Sequence, residues 1–293
     1  MKKFWKGGVF LSVVSSLFSS VSVVFAVGAA KTLNPIGVAG FAALIAGLIL
    51  FAAASVSNKK KISWDMIRNN KRDLAEQSII RGFIAHGLLL IGYSMTQAVK
   101  AVFFTKIEPF FVLLWGQLMG KERLNARHIF IIIIHLTGVF LLSTGGAITA
   151  FTTAQLGDGI IIFAVFLFAY TYYSGARLAK KIGARATVAL SNIMGGTMNT
   201  VLALLFFPFS AMTNPEGWLY LLGYLLSFHV IALTLWYAAL KTAKGWVVSA
   251  VRALGPLTGM VVAFALFGET LTQIQAIGGA VILLTSIAIA KER

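Results

Sequence analysis

Apolar runs long enough to cross a bilayer alternate with short polar breaks along the whole chain. They fall near residues 7–27, 36–56, 79–97, 101–119, 129–146, 156–177, 186–207, 217–240, 245–267 and 273–290, so the pattern predicts ten membrane-spanning helices. Pro35, Pro208 and Pro215 stand at or near segment ends, where a missing N–H is tolerated. Pro109 and Pro256 stand inside segments 4 and 9. The first run follows Met1-Lys2-Lys3 and reaches Ala26-Val27-Gly28-Ala29-Ala30, in the manner of a secretory leader. Because it is long enough to span, it is read as a retained first helix.

The cations orient these helices. With the N-terminus placed inside, the cytoplasmic segments hold 20 of the 25 Lys and Arg residues and the outer segments hold only Lys31 and Lys100. So uneven a split, in strict alternation, predicts ten spans with both termini cytoplasmic. The remaining three cations, Arg81, Lys106 and Arg252, fall inside predicted spans. The net charge of +16 is then mostly a topology signal, with anionic lipid headgroups as its partners rather than nucleic acid. The longest connection, 57–78, carries Lys59-Lys60-Lys61, Trp64 and Asp65 and is expected to form a short interfacial helix or coil.

The chain also repeats itself. Pro256, Glu269 and Leu271 each stand 147 positions after Pro109, Glu122 and Leu124, half the length of the chain. Five spans per half is an odd number, so the second copy must lie upside down relative to the first. The expected fold is an all-α polytopic membrane protein of ten transmembrane helices, built as two inverted five-helix repeats, 1–147 and 148–293, in one integral unit.

Composition removes other classes. At 58% hydrophobic and 12% charged, the chain lacks the polar surface a soluble domain of this size needs. It contains no cysteine, which excludes disulfides, thiolate catalysis and thiolate metal sites. The histidines lack acidic partners at metal-ligand spacing, so neither metal nor other cofactor is expected. Gly116-x-x-x-Gly120-Lys121 lacks the spacer and the hydroxyl residue of a phosphate loop. No Ser/His/Asp or paired-carboxylate arrangement points to an enzyme.

The mid-span proline with Gly120-Lys121-Glu122-Arg123-Leu124 closes segment 4. Proline with FGETLT, then IQAIGGAVILLTSIAIA, fills segments 9 and 10, and Trp236-Tyr237-Ala238-Ala239-Leu240 precedes segment 9. Together these resemble the drug/metabolite transporter superfamily, EamA type, over essentially the whole chain. The resemblance implies a central cavity lined mainly by helices 1, 3, 4, 6, 8 and 9, with 5 and 10 more peripheral. It also implies alternating access and small organic solutes, without fixing the solute. The first half departs from the usual pattern, because Lys106 and Glu108 crowd its proline.

Candidate site residues follow from depth and spacing. Pro109 and Pro256 each free the carbonyl four residues back, at Thr105 and Arg252, and are read either as gating hinges or as static kinks. Lys106 and Arg252 lie deep enough that each needs a cavity or a partner. By the repeat they flank one seam, where they bind a carboxylate or phosphate of the solute or pair with Glu108. His86, Tyr93 and Gln97, at i, i+7 and i+11, form a polar stripe on segment 3. Arg81, nearer the predicted helix end, is read as snorkelling. Tyr173 and Trp236 are either interfacial aromatics or cavity walls. Ser12, Ser15, Ser16, Ser19 and Ser22 share a face suited to close helix packing or to lining a cavity. Asp158 is read as a helix-dipole acid, and Asn192 and Asn199 as interhelical hydrogen bonders.

The expected activity is secondary-active transport of small anionic or zwitterionic metabolites, such as amino acids, by alternating access. Export across the inner or plasma membrane, by a monomer or homodimer, is the family-typical mode. The alternatives are an antiporter of phosphorylated metabolites and, from a different class, a lipid-handling scaffold or membrane enzyme subunit.

Overall fold

The computed structural model describes residues 7–56, 62–121, 123, 125–151, 156–252, 254–257 and 272–291. Glu122, Glu269, Lys59-Lys60-Lys61 and the C-terminal part of segment 9, 258–267, lie outside the described residues.

The helices in chain order are α1 Gly8–Thr32, α2 Pro35–Val56, α3 Trp64–Arg68, α4 Lys71–Ser94, α5 Ala98–Thr105, α6 Glu108–Leu118 and α7 Ala126–Thr144. They continue with α8 Leu156–Tyr170, α9 Tyr172–Ile182, α10 Ala184–Phe206, α11 Pro215–Leu240, α12 Gly245–Arg252 and α13 Gln273–Lys291. Among the described residues there is no β-strand. Helices α1, α2, α4, α7, α10 and α11 are long and apolar enough to cross a membrane. The pair α8 and α9, bent by 44° at Thr171, makes a seventh span when counted as one. The protein is an all-α polytopic membrane protein.

Local chemistry sets the helix starts. Pro35 and Pro215 open α2 and α11, where their missing N–H leaves nothing unsatisfied. The preceding residues Asn34 and Asn214 accept from the Gly37 and Gly217 amides, at 2.9 and 3.2 Å. Asn125 caps α7 in the same way. The connection after α2 contains the short helix α3, with Trp64 exposed, as an interfacial segment requires.

Helix α2 packs most extensively on α10, and α7 on α13. Lipid tails are as apolar as leucine, so these pairs are held by close contact rather than by water exclusion. Glycine permits the approach: a methyl built on Gly40 would fall 2.5 Å from the Thr200 amide nitrogen. Other pairings are α1 with α11 and α12, α8 with α4 and α6, and α6 with α12.

Two segments depart from a plain α-helix. Within α4 the residues Glu76–Ala85 wind as a π-helix, and within α11 the residues Leu225–Ala232 do the same. The two stretches end 147 residues apart. Segment 4 is not one helix with an interior proline. It is two helices, α5 and α6, and Pro109 sits buried in the first turn of α6. Segment 3 begins earlier than its hydropathy suggests, at Lys71, and ends at Ser94.

Candidate functional site

The break between α5 and α6 is a pair of tight turns. The Lys106 and Ile107 amides donate to the Phe103 and Phe104 carbonyls, at 2.9 and 3.3 Å, and Phe110 donates to Ile107 at 3.0 Å. Displaced by 147 positions, Leu254 donates to Val251 at 3.1 Å and Leu257 to Leu254 at 3.0 Å. Irregular backbone survives in a membrane where protein or a polar cavity covers it. Here it faces a cavity of about 60 Å³, room for a few waters or the polar head of a solute.

The cavity walls come from α1, α4, the α5–α6 segment, α8, α11 and α12. These correspond to segments 1, 3, 4, 6, 8 and 9, the six that the resemblance implies. Among the described residues, its charged lining is Arg81, Lys106, Glu108 and Arg252. Arg252 is engaged: its Nη1 lies 3.8 Å from Glu108 Oε2, and its Nη2 donates to the Ser19 hydroxyl at 3.1 Å. Ser249 donates to the same Glu108 oxygen at 3.1 Å. Lys106 is 7% exposed, and its Nζ has no hydrogen-bond or ion-pair partner among the described residues. It rests against the backbone of Gly255, where a built methyl would fall 3.2 Å from Nζ.

Arg81 corrects the snorkelling expectation. It is 6% exposed, with its guanidinium carbon 4.3 Å from the Trp236 ring centre and 4.8 Å from that of Phe168. Arg252 reaches the same Trp236 ring at 5.8 Å. The indole is thus a shared floor for two cations, an arrangement its negative ring face favours. Arg81 also borders a second, water-sized void of about 10 Å³ lined in part by Gln77, His86, Asn192 and His229.

The other expected site residues separate. Tyr93, Lys106, Glu108, Arg252 and Pro109 line the cavity together. His86 is buried against α11, its Nε2 sharing a 2.6 Å hydrogen bond with the Tyr224 hydroxyl. Gln97 lies beyond the end of α4, exposed at the N-cap of α5, so the expected His86–Tyr93–Gln97 stripe does not continue to it. Trp236 is fully buried beneath the arginines, and Tyr173 donates to the Val112 carbonyl at 3.2 Å. Pro256 lies half-buried just past the described end of α12. The serine face of α1 divides: Ser19 and Ser22 line the cavity, whereas Ser15 bonds the Ala232 carbonyl of α11 at 2.8 Å. Asn199 donates to the Gly82 and Phe83 carbonyls of α4, at 3.0 and 3.2 Å.

Two buried polar clusters flank the cavity. Near the Ser94 end of α4, Lys100 Nζ lies 3.3 Å from Asp158 Oδ2, and the Thr96 hydroxyl donates to Asp158 Oδ1. Asp158 is therefore half of a buried ion pair, beyond the helix-dipole role expected of it. Near the Lys71 end, Gln77 donates to the Thr171 carbonyl at 2.7 Å and to the Ser174 hydroxyl at 2.9 Å, and accepts from the Tyr237 hydroxyl. Each cluster ties α4 or its following loop to the α8–α9 segment.

Comparison with known proteins accords with this geometry. A chain from Methanothermobacter thermautotrophicus, named an uncharacterized transporter, is 24% identical over 99% of this chain and 87% of its own length. The uncharacterized transporter sll1164 of Synechocystis sp. is 22% identical over 73% of this chain and 64% of its own. A solved crystal structure superposes with a TM-score of 0.77 at 16% identity, covering 97% of this chain and 96% of that one, a likeness of fold alone. The EamA-like transporter family matches twice, over residues 6–144 and 155–290. A multi-pass helical bundle around a charged internal cavity, with family matches spanning nearly its whole length, belongs to the EamA-like transporter family.

Proposed function

We propose that the chain is a secondary-active carrier for small metabolites bearing an anionic or zwitterionic group, working by alternating access. The observation that carries this reading is the cavity itself, walled by six segments, with Lys106 and Glu108 at the break between α5 and α6 and Arg252 facing them from α12. Buried cations at such depth are costly unless they meet an opposite charge, and a solute's carboxylate or phosphate supplies one.

The two halves are proposed to be inverted five-helix copies, making ten spans. Exchanging segments 1 to 5 with 6 to 10 turns the α1–α11 and α1–α12 packings into α8–α4 and α8–α6, and leaves α2–α10 and α7–α13 unchanged. The matched π-helical stretches, the matched turns before Pro109 and Pro256, and the twofold family match support the same relation. The Lys100–Asp158 cluster and the Gln77–Tyr237 cluster then close opposite faces of one cavity, and the broken segments 4 and 9 bend as one opens and the other shuts. With both termini cytoplasmic, Asp158 lies on the outer side and Gln77 on the inner side of the cell's inner or plasma membrane. Anionic lipid headgroups neutralise the cytoplasmic cations.

Flux into proteoliposomes tests the proposal, using labelled amino acids, sugar phosphates and quaternary amines. The expected result is saturable uptake of an anionic or zwitterionic solute that Lys106→Met abolishes. Uptake of the amines, unchanged by Arg252→Ala, would overturn it.

A further inference from the structure

We infer that Arg81 is a third cation of the solute site and that the site takes a doubly negative head, a dicarboxylate or a phosphate monoester. The inference rests on the carrier reading and narrows its solute class.

The charge balance leads to it. Among the described cavity-lining residues there are three cations, Arg81, Lys106 and Arg252, and one carboxylate, Glu108. That carboxylate is already spent, held by Arg252 and by the Ser249 hydroxyl. The described lining therefore carries a net charge of +2, and neither Lys106 nor Arg81 makes a hydrogen bond or a close ion pair with that one carboxylate. Lys106 makes no hydrogen bond or close ion pair among the described residues, feeling Glu108 only through space, and Nη1 of Arg81 is buried without a hydrogen bond. Stacking on Trp236 and Phe168 offsets part of the cost of burying Arg81, but an aromatic face does not satisfy an N–H donor. Unpaired buried charge is among the costliest features a fold carries, and it persists where a ligand completes it.

The solute's charge follows. A monoanion would neutralise one of the two cations and strand the other. A zwitterion would bring an ammonium that needs an acid, and Glu108 is committed to Arg252. A dianion matches both. Geometry allows it: Arg81 and Arg252 share one indole ring, so their guanidinium carbons are no further apart than the sum of 4.3 and 5.8 Å. Lys106 faces the same cavity from the α5–α6 break. Arg81 offers a planar fork suited to a carboxylate or phosphate, and Lys106 a point charge.

The test uses the full chain in proteoliposomes, with labelled succinate and glycerol phosphate as dianions, and acetate and alanine as singly charged and zwitterionic comparators. Native protein is expected to take up at least one dianion with a KM well below that for acetate or alanine. Arg81→Gln is expected to raise the dianion KM about 10- to 100-fold, the equivalent of one hydrogen bond to a charged group, with the comparators changed far less. Arg81→Lys, which keeps the charge, is expected to restore part of the loss. Whichever dianion responds identifies the head. Should Arg81→Gln not fold, Arg81→Lys decides: a KM raised for the dianion alone supports the inference, and an equal change for all four overturns it. Preference of the native chain for alanine over both dianions overturns the inference and leaves the carrier reading standing. Uptake of none of the four by well-folded protein overturns both.

Discussion

Replacing Asp158 by Asn removes the carboxylate that Lys100 meets while leaving the shape nearly unchanged. Lys100 is only 1% exposed, and its Nζ sits 3.3 Å from Asp158 Oδ2. The amide takes the carboxylate away from an ammonium in a site with little access to water, and breaking a buried pair from one side costs about 3–5 kcal/mol. At roughly 2–4 °C per kcal/mol for a chain of this size, the melting temperature should fall by about 6–20 °C. The double variant Lys100→Met/Asp158→Asn should recover at least half of that loss, because both charges of the pair are then removed together. Thermal unfolding of the native chain, the two single variants and the double variant in one detergent measures the cycle. A fall equivalent to less than about 1 kcal/mol in Asp158→Asn, or strictly additive losses in the double, would mean that the pair is solvated and does not hold the cluster together.

Three further outcomes follow from contacts elsewhere. Glu108→Gln should destabilise by about 1–3 kcal/mol, less than a fully buried pair because both partners retain some exposure, and added succinate should restore more stability to the variant than to native protein. Gly40→Val should cost about 1–3 kcal/mol in thermal unfolding, since its side chain meets the Thr200 backbone and forces α2 and α10 apart. Trp236→Leu should destabilise by about 2–4 kcal/mol and Trp236→Phe by less, because phenylalanine keeps an aromatic floor under Arg81 and Arg252; equal losses would argue against a cation–π role.

The helical membrane class was legible because apolar run length and loop cations report directly on the bilayer. Lys106, Glu108 and Arg252 were legible because charge is rare at that depth and all three lie near a proline. Arg81 was not, for a specific reason. The charged stretch Lys71-Arg72-Asp73 with Glu76 lowers local hydropathy and hides the true start of α4, so Arg81 looked one turn deep when it is about 15 Å along the helix. The π-helical winding of Glu76–Ala85 then shifts the side-chain phase that an α-periodic reading assumes. The Lys100–Asp158 pair was hidden because its partners come from different halves of the chain, where no local pattern links them. Gln97 misled in the opposite direction, since α4 stops before the spacing that placed it on the polar stripe.

The alternation of one cavity between two faces can be read from a single thiol. The native chain has no cysteine, so Ser22→Cys places one reactive group on the cavity wall. A membrane-impermeant maleimide, applied to right-side-out and inside-out vesicles, measures access from each face. Reaction from both faces is the predicted result, with Asp158→Asn speeding labelling from the Asp158 side and Tyr237→Phe speeding it from the Tyr237 side, each slowing the other. No labelling from either face in any of these backgrounds, or rates that ignore which cluster is cut, would contradict the carrier.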